Sequence, residues 1–225
     1  MIYVGVLFRN NENLVSPYLL FLRGNFSDDT PYRIIAVDDN SSDRTNEFLK
    51  ASLKKDDILI RNESNFGVAK CRNKIILKAK ELEGDWADVV LMDSDVFIIL
   101  KDSIHQLKLG LRLAGVSFGK MGSFWDKNEE CTTGMAFCMI KGEVFKKIGL
   151  FDERFFMFYD DTDFVHRFQD AGFKYQECPD AQSVHMWGST TRNKSTVSNR
   201  KEIIGKDRAL YELMHKVKMT GPYNE

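Results

Sequence analysis

VVLMDSDVFI, residues 89–98, runs an apolar stretch into two carboxylates and then turns apolar again. The apolar start reads as a buried strand. One Asp after a strand needs no special account, because its side chain bonds the backbone two residues on and begins a turn. Asp93 and Asp95 together ask for more. At i and i+2 of an extended segment both side chains point to the same face, and like charges that close raise each other's pKa unless a cation sits between them. Hard oxygen ligands suit Mg2+ or Mn2+, and Mg2+ takes one or two carboxylates plus substrate phosphates. The stretch reads as a strand end built to hold metal and phosphate.

Working outward, the first half alternates strand and helix. Ile2–Phe8 reads as a strand, Glu12 to Arg23 as a helix, and Arg33–Val37 as a second strand running into Asp38-Asp39-Asn40. Asp43 is placed to cap a helix reaching Lys55. Ile58–Arg61 is a short strand, Gly67–Glu83 the clearest amphipathic helix, and Val89–Met92 the fourth strand. This alternation implies a mostly parallel sheet covered by helices on both faces, in which ligands bind at the carboxyl ends of the strands. Asp38, Asp39, Asp93 and Asp95 all fall there.

The second half is less regular. Asp102–Ala114 reads as helix, Val116–Gly119 and Ala136–Ile140 as strands, and Gly142–Ile148 as a short helix ended by Gly149. Asp160–Ala171 is a helix ended by Gly172, and Lys174–Cys178 a strand stopped by Pro179. Val184–Ser198 reads as a mobile loop and Asn199–Lys218 as a C-terminal helix. The expected organisation is an α/β half over residues 1–100, a smaller mixed half of the same domain over 101–198, and a helical tail over 199–225.

Composition excludes several classes. Of the 225 residues, 43% are hydrophobic and 29% charged, as expected of a globular chain with a real core. A net charge of −1 gives no global attraction to nucleic acid or membrane. The N-terminus lacks the layout of a signal peptide, and no apolar run has the length of a membrane span. Cys71, Cys131, Cys138 and Cys178 show no metal-type spacing, so they read as free thiols of a cytoplasmic protein.

Three further stretches carry candidate chemistry. In MFYDDTDFVHRFQDAG, residues 157–172, Phe164, Val165, Phe168 and Ala171 form an inward helical stripe. Asp161 lies near the centre of that stripe, Asp160 toward its edge, and Asp163 well away, paired with Arg167 at i, i+4. All three acids complement the helix dipole, but a carboxylate on an inward face also needs a partner or a pocket. A partly desolvated carboxylate is what a general base requires. In SVHMWGST, residues 183–190, His185 opens the polar loop and offers a nitrogen ligand; most lone histidines serve only packing. In NFGVAKCRN, residues 65–73, Lys70 and Arg72 follow a turn at a helix start, where anions bind, although for this stretch alone a capped helix with solvated cations is the better account.

Taken in order, these pieces resemble the family-two glycosyltransferases with the A-type (GT-A) nucleotide-sugar fold, from the first strand to about Thr190. AVDDNSSDRT is similar to that family's strand-two nucleotide motif, NFGVAKCRN to its Asn-x-Gly…Arg-Asn motif, and MDSD to its metal-binding Asp-x-Asp. TTGMAFCMIKGEVFKKIGLFDERFF resembles the acceptor-side segment, YDDTDFVHRFQDAGF the Glu-Asp-x-Asp…Arg…Gly motif, and PDAQSVHMWGST the strand and His after it. The resemblance implies an inverting transfer of a sugar, from a nucleoside-diphosphate donor of the UDP type, to an acceptor hydroxyl. Asp38 or Asp39 and Arg72 would meet the nucleotide, Asp93 the ribose and metal, and Asp95 and His185 the metal. Gly134, Asp160 and Trp187 would line the donor and acceptor pocket, with Asp161 as the base. The cofactor implied is Mn2+ or Mg2+. Two departures stand out: Asp160 replaces the usual Glu, and Phe8-Arg9-Asn10-Asn11 replaces small residues, so that Arg9 would meet the nucleotide in its own way.

Two rival readings differ in class. DSDVF resembles the nucleophile motif of haloacid-dehalogenase-type phosphatases, but Phe97 stands where that family has Thr, and the motif belongs near the first strand. A nucleotide-sugar-binding protein without turnover is the other. The acceptor stays open among a glycan, a lipid-linked saccharide, a protein and a hydroxylated nucleobase, the missing membrane anchor counting against the lipid. After His185, Arg192 and Lys194 are placed for a lid over the diphosphate. The basic tail reads first as a solvated face and otherwise as a seat for an anionic acceptor, nucleic acid included.

Overall fold

The computed structural model describes residues 1–26, 31–123, 130–131, 135–186 and 199–219. Gly134, Trp187, Arg192 and Lys194 lie outside the described residues, and so do the lid and most of the polar loop. The first half alternates as expected: β1 (Ile2–Phe8), α1 (Glu12–Gly24), β2 (Tyr32–Asp38), α2 (Thr45–Ser52), β3 (Ile58–Arg61), α3 (Val68–Glu83), β4 (Val89–Asp93). These strands pair in parallel in the order β3-β2-β1-β4. Their apolar runs are continuous because both faces are buried, and the two-residue period sorts them into two cores. Val4, Val6, Ile34, Ala36, Val90 and Met92 pack with α1 and with Leu49 of α2. Tyr3, Ile35, Val37, Val89 and Leu91 pack with α3 on the other face.

Then follow β5 (Val96–Ile98), α4 (Ser103–Gly110), β6 (Val116–Ser123), β7 (Glu130–Cys131), β8 (Phe137–Ile140), α5 (Gly142–Ile148), α6 (Asp160–Asp170), β9 (Tyr175–His185) and α7 (Arg200–His215). The sheet continues without a break across residue 100, in the order β4-β8-β6-β9-β5, with β7 paired to β6. Only Ser94 and Asp95 separate β4 from β5, yet three strands lie between them in the sheet. Four strand spacings on a flat sheet would span roughly 19 Å, and the chain from residue 93 to 96 reaches at most about 11 Å. The sheet therefore curls until its last strand returns to the carboxyl end of β4.

Some local expectations fail for identifiable reasons. The strand at Tyr175 does not stop at Pro179. It runs to His185 with a register slip, Cys178 pairing with Gly119 and Gln182 with Lys120, so residues 179–181 bulge out of the ladder. A residue without an N–H is tolerated at such a bulge. Val184 and His185, expected in the loop, belong to this strand. The helix at residue 45 ends at Ser52 instead of Lys55. Asp43 does not cap it from the N-cap position; its carboxylate accepts Thr45 N (3.0 Å) and Glu12 N (3.1 Å), tying the starts of α1 and α2 together. The helix after Asp102 stops at Gly110, four residues short of Ala114.

Gly67 joins the two halves. Its φ is +80°, a Cβ there would overlap the carbonyl oxygen of Phe156, and Val68 N donates to that oxygen at 2.7 Å. Gly67→Ala adds left-handed strain and an overlap with backbone. It should cost about 2–4 kcal/mol, read as a lower denaturation midpoint at unchanged m-value. A midpoint equal to the parent's would show that α3 and the loop before α6 do not meet at Gly67.

Candidate active site

The register of the parallel strands sets out the first carboxylates. Leu7 of β1 pairs with Asp93 and Phe8 with Asp38, so both acids stand at one edge of the sheet. The curl then brings in β9. Val96 pairs with His185, and Met186 N donates to Asp95 O at 2.8 Å, which places His185 Nε2 3.1 Å from Asp95 Oδ1. Asp93, Asp95 and His185 each offer a ligand atom within 4.8 Å of the others. Asp95 and His185 are buried, and Asp93 leaves 37% of its side chain open. Burial raises the Asp93 carboxyl pKa against the pull of Arg72, and Asp95 adds to the rise. Burial works against the His185 imidazolium, but Asp95 and Asp93 outweigh it and raise that pKa too. Two carboxylates and an imidazole form a hard donor set that fits a divalent ion such as Mn2+ or Mg2+.

Arg72 wedges between the acids. Its guanidinium lies 2.7 Å from Asp160 Oδ2 and 3.6 Å from Asp93 Oδ1, over the Phe151 ring at 5.4 Å. Only 8% of the Arg72 side chain and 3% of that of Asp160 are exposed, so this is a buried pair. Burial pushes the Asp160 carboxyl up to about 7, with Arg72 opposing and Asp161 and Asp93 adding to the rise. The acidic helix thus meets the metal-type cluster through one cation.

The helical wheel of residues 157–172 needs correction. Phe164 and Phe168 are buried and Asp163 pairs with Arg167 (2.8 Å), as expected, but Asp163 is fully buried instead of pointing away. Asp160 is buried too, and Asp161 is only half-buried. The wheel assumes one covered face, whereas α7 covers a second and sets His215 Nε2 3.0 Å from Asp163 Oδ1. Asp161 Oδ1 accepts from Thr162 N at 2.7 Å, and Asp161 adjoins Asp160 at the start of α6, next to the contact with Arg72.

The strand-two acids are buried and already engaged by the protein. Asp38 pairs with Arg61 and accepts Ser41 N at 2.9 Å. Asp39 accepts Asn62 Nδ2, Phe66 N and Gly67 N at 2.8, 2.8 and 3.0 Å. Arg9 Nη1 donates to the carbonyls of Asp39 and Asn40. Together they brace the loops around the strand ends. Sequence reasoning passes over Arg61 and Asn62, although both stand at the carboxyl end of β3, where topology alone draws attention. It also misses Tyr18, whose buried hydroxyl has no hydrogen-bond partner among the described residues. Burial raises that hydroxyl's pKa, helped by the charges of Asp93 and Asp95.

The family profile described as Glycosyl transferase family 2 matches residues 3–149. The chain belongs to that family. The match spans β1 through α5 and takes in Asp93 and Asp95, while α6, β9 and α7 lie beyond it. No curated protein sequence matches the chain. Among solved structures it is similar to the mannosyltransferase PcManGT from Pyrobaculum calidifontis in complex with GDP-Man and Mn2+, with a TM-score of 0.68 and 16% identity over 99% of this chain and 66% of that one. S. aureus TarS 1–349 aligns at a TM-score of 0.63 and 16% identity over 97% of this chain and 75% of that one. Its complex with UDP-GlcNAc aligns at 0.64 and 17% over 91% and 66%. The fold is therefore the GT-A fold, and the chain spans 66% of the length of the mannosyltransferase. The family match favours the glycosyltransferase reading over the phosphatase one. Among the described residues no helix is long and apolar enough to cross a membrane.

Removing one member of a buried ion pair strands the other's charge, at about 3–5 kcal/mol. Arg72→Met should lose stability on that scale, and adding Asp160→Asn should restore a good part of it. A double variant as unstable as the sum of the two singles would show that Arg72 and Asp160 do not interact.

Proposed function

We propose that this protein is a metal-dependent inverting glycosyltransferase that moves a sugar from a UDP-type nucleotide donor to an acceptor hydroxyl. The observation that carries the reading is the meeting of Asp93, Asp95 and His185 at the carboxyl edge of the parallel strands, beside the acidic start of α6. Asp95 and His185, with Asp93, would hold Mn2+ or Mg2+, which when bound neutralises the donor diphosphate and the charge that develops as the nucleotide departs. The complexes of PcManGT with GDP-Man and of TarS with UDP-GlcNAc support a nucleotide-sugar donor.

This chain's residues divide the remaining work. Asp38, Asp39, Arg9 and Arg72 order the nucleotide end, chiefly by fixing the loops and carboxylates that surround it. Asp160, held by Arg72, faces the donor or the acceptor. Asp161 takes the proton from the acceptor hydroxyl as that oxygen attacks the anomeric carbon. The new carbon–oxygen bond forms on the face opposite the breaking bond to the diphosphate. The nucleoside diphosphate leaves with the bonding pair, and the anomeric centre inverts. Gly134 and Trp187 complete the pocket in this reading, with Arg192 and Lys194 as its lid. The acceptor class stays open among a glycan, a lipid-linked saccharide, a protein and a hydroxylated nucleobase.

Two measurements test the assignment. Asp95→Ala should weaken UDP binding in the presence of Mn2+ by at least about tenfold and abolish nucleoside diphosphate release from UDP-sugars, with excess chelator doing the same to the parent. Equal UDP affinity with chelator and with Mn2+ would refute the metal site. Asp161→Asn should keep donor affinity and lower kcat by about 10²–10⁴. Asp163→Asn should cost stability and leave the chemistry largely intact. The larger kinetic loss at Asp163 would reverse the roles.

A further inference from the structure

Asp207 lies in α7, only 4% exposed, and nothing in the tail's basic sequence singles it out. Its carboxylate accepts three successive backbone N–H groups, Phe156 N at 3.2 Å and Met157 N and Phe158 N at 2.9 Å each. Consecutive N–H groups converging on one anion form a nest, and bonds to an ionised acceptor are the strong, short kind.

The segment held in this way leads straight into the candidate catalytic carboxylates. Tyr159 follows it with φ at +62°, an uncommon conformation for an aromatic residue, and its ring stacks on Tyr211 of α7 at 5.4 Å. Asp160 and Asp161 come next. On its other side the same segment meets α3, where Phe156 O accepts Val68 N at 2.7 Å one turn before Arg72, the partner of Asp160. Further along α7, Tyr211 shares a hydrogen bond of 2.8 Å with His166 Nδ1, and His215 reaches Asp163. Three cations of α7 have partners close by. Lys206 pairs with Glu202, Arg208 with Glu212, and Arg200 lies over the Phe158 ring.

We propose that α7 is the strut that sets the position of the Asp160–Asp161 carboxylates, with Asp207 as the positioning residue. The proposal rests on the reading of Asp161 as the base. A geometry imposed on the base matters only when the proton moves, so loss of the clamp should fall on kcat and spare donor binding.

The test is Asp207→Asn in the full chain, a substitution that keeps shape and removes the charge. UDP-sugar hydrolysis, with water as the acceptor, should fall at least tenfold in kcat. The donor KM, the affinity for UDP with Mn2+ and the binding stoichiometry should stay within twofold of the parent. Hydrogen exchange at the amides of Phe156, Met157, Phe158 and Val68 should quicken at least tenfold. An unchanged kcat overturns the proposal. So does a kcat that falls only in step with the UDP-binding stoichiometry, which marks a merely structural residue. Should the variant not fold, the parent carries the test: the amides of residues 156–158 should exchange in step with those of α7, and much faster exchange there overturns the strut. A parent that binds UDP and Mn2+ yet turns over no sugar nucleotide refutes the function proposed above, and the exchange measurement then decides on the strut by itself.

Discussion

Val96 with His185, Phe97 with Val184 and Ile98 with Ser183 are three antiparallel pairings between segments about ninety residues apart. The candidate site depends on them. β5 follows β4 after only two residues, so its pairing with β9 obliges the whole sheet to curl. The same pairing fixes His185 beside Asp95 through backbone register, before any side chain has to choose a rotamer. A one-residue slip would turn His185 to the other face. Loop closure over such a separation costs conformational entropy, and the fold meets that cost with the buried apolar surface of Val96, Ile98 and Ala181 in the core shared with α1 and α4.

Charge is the second constraint. Asp93, Asp95 and Asp160 gather at one edge, with Asp161 next to Asp160, and burial works against the ionised forms of Asp93 and Asp160. Arg72 neutralises part of this from below, buried and aimed at Asp160 and Asp93. The acidic side keeps an opening, because Asp93 remains 37% exposed. Such a cluster does little for stability alone, since buried ion pairs return little of their desolvation cost. Its placement where ligands enter α/β sheets gives that cost a purpose.

What is legible in the sequence follows from what is local. β1, β2, β3 and β4 are readable because both faces are buried and the apolar runs are unbroken. Asp93 and Asp95 are readable as a close acidic pair, although Asp95 lies in the turn after β4 and not in an extended segment with Asp93, and His185 lies beside them. The length of β9 is hidden, since Pro179 argues for a stop and only the bulge opposite Gly119 and Lys120 lets the strand pass. β5 has three residues and a partner far along the chain, so no window of sequence shows it. Asp163 is misplaced by a helical wheel that takes one face as buried, while α7 buries a second. Asp207 is invisible for the same reason, as its partners are backbone amides about fifty residues away.

The central claim is that Asp95 and His185, joined by the β5–β9 register, together hold a divalent ion. Pulsed electron paramagnetic resonance of Mn2+ bound to the protein with UDP measures this directly, because an imidazole nitrogen ligand couples to the metal's electron spin. The expected result is a nitrogen coupling in the parent that disappears in His185→Gln, with Mn2+ binding weakened in Asp95→Ala. A Mn2+–UDP complex of undiminished affinity that shows no imidazole nitrogen, or a coupling that survives in His185→Gln, would contradict it.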